Sequence, residues 1–185
     1  MEFISKSEIE TEKIAFNLAK DLKSGSVLAL YGQLGSGKTV FARGLARGLG
    51  VREIITSPTF VLIKEYPIKK SHPFRPMAKP RSEIINHSTS ARAMFETGKS
   101  QIGRKFQIDS SKIAKKAILK VVHVDCYRVR NGEDAETVGL NEYLNQTDSI
   151  IIIEWPEKIK SILPKRTVNI YLENLGLKTR KITFN

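Results

Sequence analysis

Apolar residues in this chain gather in short runs, and the spacing inside each run predicts its element. Residues 26–31 (S-V-L-A-L-Y), 118–124 (I-L-K-V-V-H-V) and 149–153 (S-I-I-I-I) are strand-length and almost unbroken, as strands covered on both faces require. Shorter strand patterns fall at residues 2–5, 60–66, 167–172 and 180–184. Helical spacing covers residues 7–23, with Ile9, Ile14, Leu18 and Leu22 near one face, Ser7 and Glu10 as a capping box, and Ser24 and Gly25 as the stop. It returns over residues 38–50, where Val40, Phe41, Leu45 and Leu49 form the apolar stripe and Gly50 ends it, and over 133–144 as a helix or helix pair around Gly139. Strands alternating with helices in this order predict an α/β domain with a mainly parallel sheet and helices on both faces.

The join between the strand at 26–31 and the helix at 38–50 carries the chemistry. Residues 32–39 read G-Q-L-G-S-G-K-T, a complete G-x-x-x-x-G-K-[ST] phosphate-binding loop between the strand and helix that such a loop needs. Glycines at 32, 35 and 37 let the backbone approach an anion, so that successive N–H groups and the helix N-terminus face phosphate. Leu34, Gly35, Ser36, Gly37, Lys38 and Thr39 are therefore the candidate nucleotide contacts, with the Lys38 ammonium on the β and γ phosphates and the Thr39 hydroxyl on Mg²⁺. The fold expectation sharpens to a P-loop NTPase-like α/β domain, and the cofactors to a nucleoside triphosphate with Mg²⁺.

A phosphate loop does not hydrolyse anything by itself; acids at the ends of neighbouring strands must hold the metal and orient water. Two are offered. Asp125 ends V-V-H-V-D and Glu154 ends I-I-I-I-E, each delivered by an apolar strand toward the edge that carries the loop. Either acid taken alone could be a helix cap or turn residue. The Asn/Thr-Lys-x-Asp motif that reads guanine does not occur, so ATP is preferred to GTP. Arg128 and Arg130 follow Asp125 closely and keep a nucleotide-kinase reading open, and Trp155 either shields the site or packs in the core.

Composition sets one segment apart. The 185 residues carry a net charge of +12 with 41% apolar residues, ordinary for a globular protein. Residues 68–118 hold 12 Lys/Arg against 3 acids, a net +9, so everything else contributes only +3. This stretch is proline-rich, weak in periodicity and sparse in aromatics, which predicts a single domain interrupted by a basic insert, with one helix near residues 91–96 at most. Two readings of it stay open, a tolerated excursion and a basic arm that contacts tRNA or a partner; the few aromatics weigh against a stacking platform for single strands. The single cysteine, Cys126, excludes an internal disulfide framework and reads as a packed thiol. No signal segment and no membrane-length apolar run is evident, so a cytoplasmic location is expected.

Four motifs in order, G-Q-L-G-S-G-K-T (32–39), S-P-T-F (57–60), H-V-D-C-Y-R (123–128) and E-W-P (154–156), together with E-D-A-E-T-V-G-L-N-E-Y-L (133–144), resemble the bacterial tRNA threonylcarbamoyladenosine biosynthesis ATPase family, TsaE. The resemblance covers nearly everything outside 68–118. It implies a cytosolic Mg²⁺-dependent ATPase that joins the TsaB and TsaD proteins, whose complex modifies the adenosine beside the tRNA anticodon, with ATP hydrolysis supporting repeated turnover of that complex. It further implies that Lys38 binds phosphate, that Thr39 and Glu154 ligate Mg²⁺, and that Asp125 is the other essential acid. Ser57 and Thr59 fall in the family's switch-like segment, and Thr11 matches a position near the adenine. Two other functional classes remain as alternatives: a P-loop kinase for a small molecule or nucleotide, and a basic RNA-binding module.

Overall fold

The computed structural model describes residues 1–58, 62–68 and 117–185. Thr59, most of the basic insert and the helix expected near residues 91–96 lie outside the described residues. The strands are β1 (Glu2–Ser5), β2 (Val27–Tyr31), β3 (Ile63–Pro67), β4 (Lys120–Asp125), β5 (Ser149–Glu154), β6 (Val168–Asn174) and β7 (Arg180–Phe184). The helices are α1 (Glu8–Leu18), α2 (Lys38–Leu49), α3 (Gly132–Thr137) and α4 (Leu140–Leu144), with 3₁₀ turns at Ala19–Asp21 and Pro156–Ile162.

All seven strands form one sheet in the order β1-β7-β6-β2-β5-β4-β3. Parallel pairing is confined to its centre, where β2 lies between β5 and β6, and β4 pairs β5. The flanks are antiparallel: β3 on β4 at one edge, and β7 between β6 and β1 at the other. Central strands are buried along almost their whole length, which is why β4 and β5 read as nearly unbroken apolar runs; β6 and β7 alternate because one face of that flank meets solvent.

Two apolar clusters sandwich the sheet. On one face Leu28, Leu30, Val121, Ile150, Ile152, Ile170, Ile182 and Phe184 pack against α1 and α2. On the other Val27, Val122, Val124, Ile151 and Ile153 pack against Ala135, Leu140, Leu144 and Ile159 from α3, α4 and the second 3₁₀ turn. Helices on both faces are thus observed as expected, and Gly139, at φ +80°, separates the helix pair.

The first helix is shorter than its pattern. It ends at Leu18 and tightens into the 3₁₀ turn, and Ile9 is 80% exposed rather than on the inner face. Helical geometry explains this, because nine residues at about 100° each put Ile9 on the side opposite Leu18, whereas Thr11 and Leu18, seven apart, share a face. The cap also differs in detail: the Ser7 hydroxyl accepts from the Glu10 N–H at 3.2 Å, but the Glu10 carboxylate accepts from Lys6, at 2.6 Å, instead of from Ser7. Against this helix α2 presents Gly44 and Gly48 at close approach. A Cβ on Gly44 would stand 2.3 Å from the Glu12 carbonyl oxygen and 2.8 Å from the Ala15 Cβ, so the two backbones touch there and hold α2 in place. Arg43 and Arg47 both reach Glu12 across the same junction.

Candidate nucleotide-binding site

The loop at 32–39 leaves β2 and enters α2 at the carboxyl edge of the parallel strands, where ligands of such sheets bind. Its glycines are needed for geometry. Gly32 runs at φ +148°, and a Cβ there would lie 2.4 Å from the Leu172 carbonyl oxygen of β6. Gly37 caps α2 at φ +96°, a left-handed conformation that a side chain resists. Leu34 and Gly35 form the exposed tip; Ser36 is buried, and its hydroxyl has no partner among the described residues.

Lys38, at the first turn of α2, is 5% exposed. Its ammonium donates to the Gly32 and Gln33 carbonyls at 2.7 and 3.0 Å, and lies 3.7 Å from the centre of the Trp155 ring. Burial pushes its pKa below the ordinary lysine value, partly opposed by Glu154, Glu157 and Asp125. Trp155 is held at φ +58°, an uncommon conformation for a bulky residue, with its ring 5.0 Å from that of Tyr127. Of the two roles the sequence left open for Trp155, the structure shows both: the ring faces the loop lysine and also packs against the second apolar cluster.

Asp125 and Glu154 are register partners at the ends of β4 and β5, and both are almost fully buried. The Thr39 hydroxyl lies 2.9 and 3.0 Å from the two carboxylate oxygens of Glu154. His123 Nε2 meets the same carboxylate at 2.9 Å, while its Nδ1 has no partner among the described residues. Asp125 accepts from the Ser57 hydroxyl and from the Tyr127 N–H, the latter at 2.9 Å. Thus Thr39, Glu154, Asp125 and Ser57 converge at one strand edge. A hydroxyl and a carboxylate aimed at each other form the donor set that suits Mg²⁺, which takes few protein ligands and keeps several waters.

Thr11 lies on the other flank of the loop. It is fully buried in α1, 2.7 Å from the Ser5 hydroxyl, on the far side of β2 from the two acids. Arg130 is exposed and bonded through its Nε at 2.8 Å to Asp134 of α3. Cys126 is buried, and desolvation, with smaller contributions from Asp125 and Glu157, pushes its thiol up to about 12, which leaves it a packed residue. Two residues escaped the sequence reading. His123 lies within the nearly unbroken run of β4, which is buried on both faces, so its burial could have been read from that run rather than from alternation. Arg180 opens β7 on the inward parity of Ile182 and Phe184, and it is 8% exposed.

The profile of the family described as threonylcarbamoyl adenosine biosynthesis protein TsaE matches residues 5–77 and 104–182, leaving 78–103 between the two matched stretches. Among curated relatives, the tRNA threonylcarbamoyladenosine biosynthesis protein TsaE of Treponema pallidum is 32% identical over 99% of this chain and 98% of its own. The protein of the same name from Bacillus subtilis is 30% identical over 95% of this chain and 78% of its own. The crystal structure of Bacillus subtilis YdiB superposes with a TM-score of 0.62 at 26% identity, covering 100% of this chain and 83% of that one. On the strength of the profile match and these relatives, the chain belongs to the TsaE family.

Proposed function

We propose that the protein binds and hydrolyses ATP with Mg²⁺ at the loop 32–39, and that it does so as the ATPase subunit of the machinery that makes threonylcarbamoyladenosine in tRNA, beside TsaB and TsaD. The relatives' names point to that modification pathway. The observation that carries the ATPase reading is the pairing of Asp125 with Glu154 in register, with the Glu154 carboxylate on the Thr39 hydroxyl. Few arrangements other than metal-assisted phosphate chemistry use a buried carboxylate, a loop threonine and a second buried acid beside a phosphate loop.

Each residue then has a definite task. The loop N–H groups and Lys38 hold the phosphate chain, the ammonium exchanging its loop carbonyls for phosphate oxygens. Thr39 and Glu154 would hold Mg²⁺, which when bound neutralises charge developing on the phosphate oxygens. His123 donates from Nε2 to Glu154 and fixes the carboxylate's orientation. Asp125, kept from rotating by Ser57 and the Tyr127 N–H, is placed to accept a proton from water. Trp155 covers Lys38 and limits solvent around it.

The test is ATP turnover by the full chain alone and with TsaB and TsaD present. Mg²⁺-dependent turnover that rises with both proteins and is lost in Glu154→Gln is the expected result. Turnover in which Glu154→Gln matches the parent contradicts the assignment of the site, and turnover indifferent to TsaB and TsaD contradicts the assignment of partners.

A further inference from the structure

We propose that Arg180 is a second side-chain cation of this site and binds the phosphates of the nucleotide from the flank opposite the two acids; the inference rests on the ATP reading above. Arg180 opens β7, in register with Ser5 of β1 and Asn174 of β6. Its inward parity carries the side chain to the face that holds α1 and α2. There it reaches the phosphate loop: a Cβ on Gly37 would stand 3.1 Å from Nε and 3.4 Å from Cδ of Arg180.

The electrostatics of that position are one-sided. Arg180 is 8% exposed, and among the described residues its buried Nε has no hydrogen-bond partner and no ion pair to it occurs. Its register partner Ser5 and, beyond it, Thr11 are neutral hydroxyls bonded to each other at 2.7 Å. A guanidinium cannot escape burial by losing its proton, as a lysine can. The N-terminus of α2, at Gly37, adds the positive end of a helix dipole, and Lys38 adds a second cation one residue further on. Three positive contributions therefore surround one glycine; Glu154, Glu157 and Asp125 act on Lys38, but no carboxylate pairs with Arg180 among the described residues. Glu154 and Asp125 stand across β2, on β5 and β4. A polyphosphate seated on the loop supplies the missing charge, with a guanidinium on one side and the metal-binding acid on the other.

The experiment compares the parent, Arg180→Met and Lys38→Ala by calorimetric titration with Mg²⁺·ATP and, separately, with inorganic tripolyphosphate. Methionine keeps the apolar stem and removes the charge; Arg180→Gln serves in its place if the methionine variant does not fold. Removing a charge-assisted hydrogen bond from a shielded site weakens binding by roughly ten- to a hundredfold, and that decrease is expected for both ligands. The ligand-free melting temperature should hold or rise, because an uncompensated buried charge is gone. Parent-like affinity in Arg180→Met, with Lys38→Ala weakened, overturns the proposal and leaves the ATP site standing. Weakened ATP with unchanged tripolyphosphate overturns it as well, because Arg180 would then touch the nucleoside. A parent that binds neither ligand overturns the ATP reading and this inference together.

Discussion

The two flanks of the phosphate loop are built differently. On the β4–β5 side the polar groups are paired with one another: Glu154 with Thr39 and His123, and Asp125 with Ser57 and the Tyr127 backbone. On the β1–β7 side Arg180 lies against Gly37 with its buried Nε unpartnered among the described residues. Parallel strands deliver side chains from their carboxyl ends to one edge, so two neighbours in register bring two acids together without any loop. The antiparallel flank has no such convergence, and it contributes one long side chain reaching inward from the first residue of a strand. One flank holds a paired cluster of acids and hydroxyls; the other holds a buried guanidinium with no ion pair among the described residues.

Removing the acids should have the greatest consequence. Glu154→Gln keeps an oxygen for the His123 and Thr39 hydrogen bonds but loses the charge, so ATP turnover should fall roughly a hundredfold or more, with melting within a few degrees of the parent. Asp125→Asn should also lose most turnover, and a variant that turns over at the parent rate would reduce its residue to a structural cap. Next comes the junction that fixes α2 between the flanks. Gly44→Ala forces the Glu12 carbonyl and Ala15 apart and should cost about 1–3 kcal/mol in denaturant melts, whereas Gly176→Ala, with nothing near its Cβ, should cost less than about 0.5 kcal/mol.

Much of the acid flank is visible in the sequence, and the reason is physical. A phosphate loop needs glycines at fixed offsets, and a fully buried parallel strand needs an unbroken apolar run, so Asp125 and Glu154 stand out where two such runs stop. Arg180 has neither mark. It lies in R-K-I-T-F, an alternating strand in which inward arginine and outward lysine look alike, and only the parity of Ile182 and Phe184 assigns its direction. Ile9 is misplaced by spacing for a related reason, since scattered apolar residues on a helix state a face only when the angles between them are counted. His123 is legible as a buried position but not as a partner of Glu154, because that hydrogen bond joins two strands across a separation of 31 residues.

Weaker effects extend the contrast on the acid side. With its thiol pushed up to about 12, Cys126 in the native protein should resist alkylation at pH 9, where an unfolded cysteine is largely thiolate. Because the folded value is raised, this group's contribution to stability is complete below about pH 8.5 and is lost as pH climbs toward about 12. Rapid alkylation without unfolding would mean that the strand end next to Asp125 is open. The least change is expected from the basic segment. Ile68 donates its N–H to the Leu119 carbonyl at 2.9 Å, and Pro67 pairs with Lys120, so the segment leaves and re-enters the fold at adjacent rungs of β3 and β4. Replacing residues 78–103 with a short Gly/Ser connection should therefore change ATP affinity less than about twofold, since closure entropy varies slowly with loop length. A greater decrease in a variant that still melts cooperatively would tie the segment to the site.

Whether residues 32–39 form a working nucleotide site is decided by titrating Mg²⁺·ATP into the parent and Lys38→Ala in a calorimeter. One site per chain is expected in the parent, with binding weaker by roughly ten- to a hundredfold when the ammonium is removed. Equal affinity in the two proteins, or no binding by the parent, would show that the loop does not hold a nucleotide.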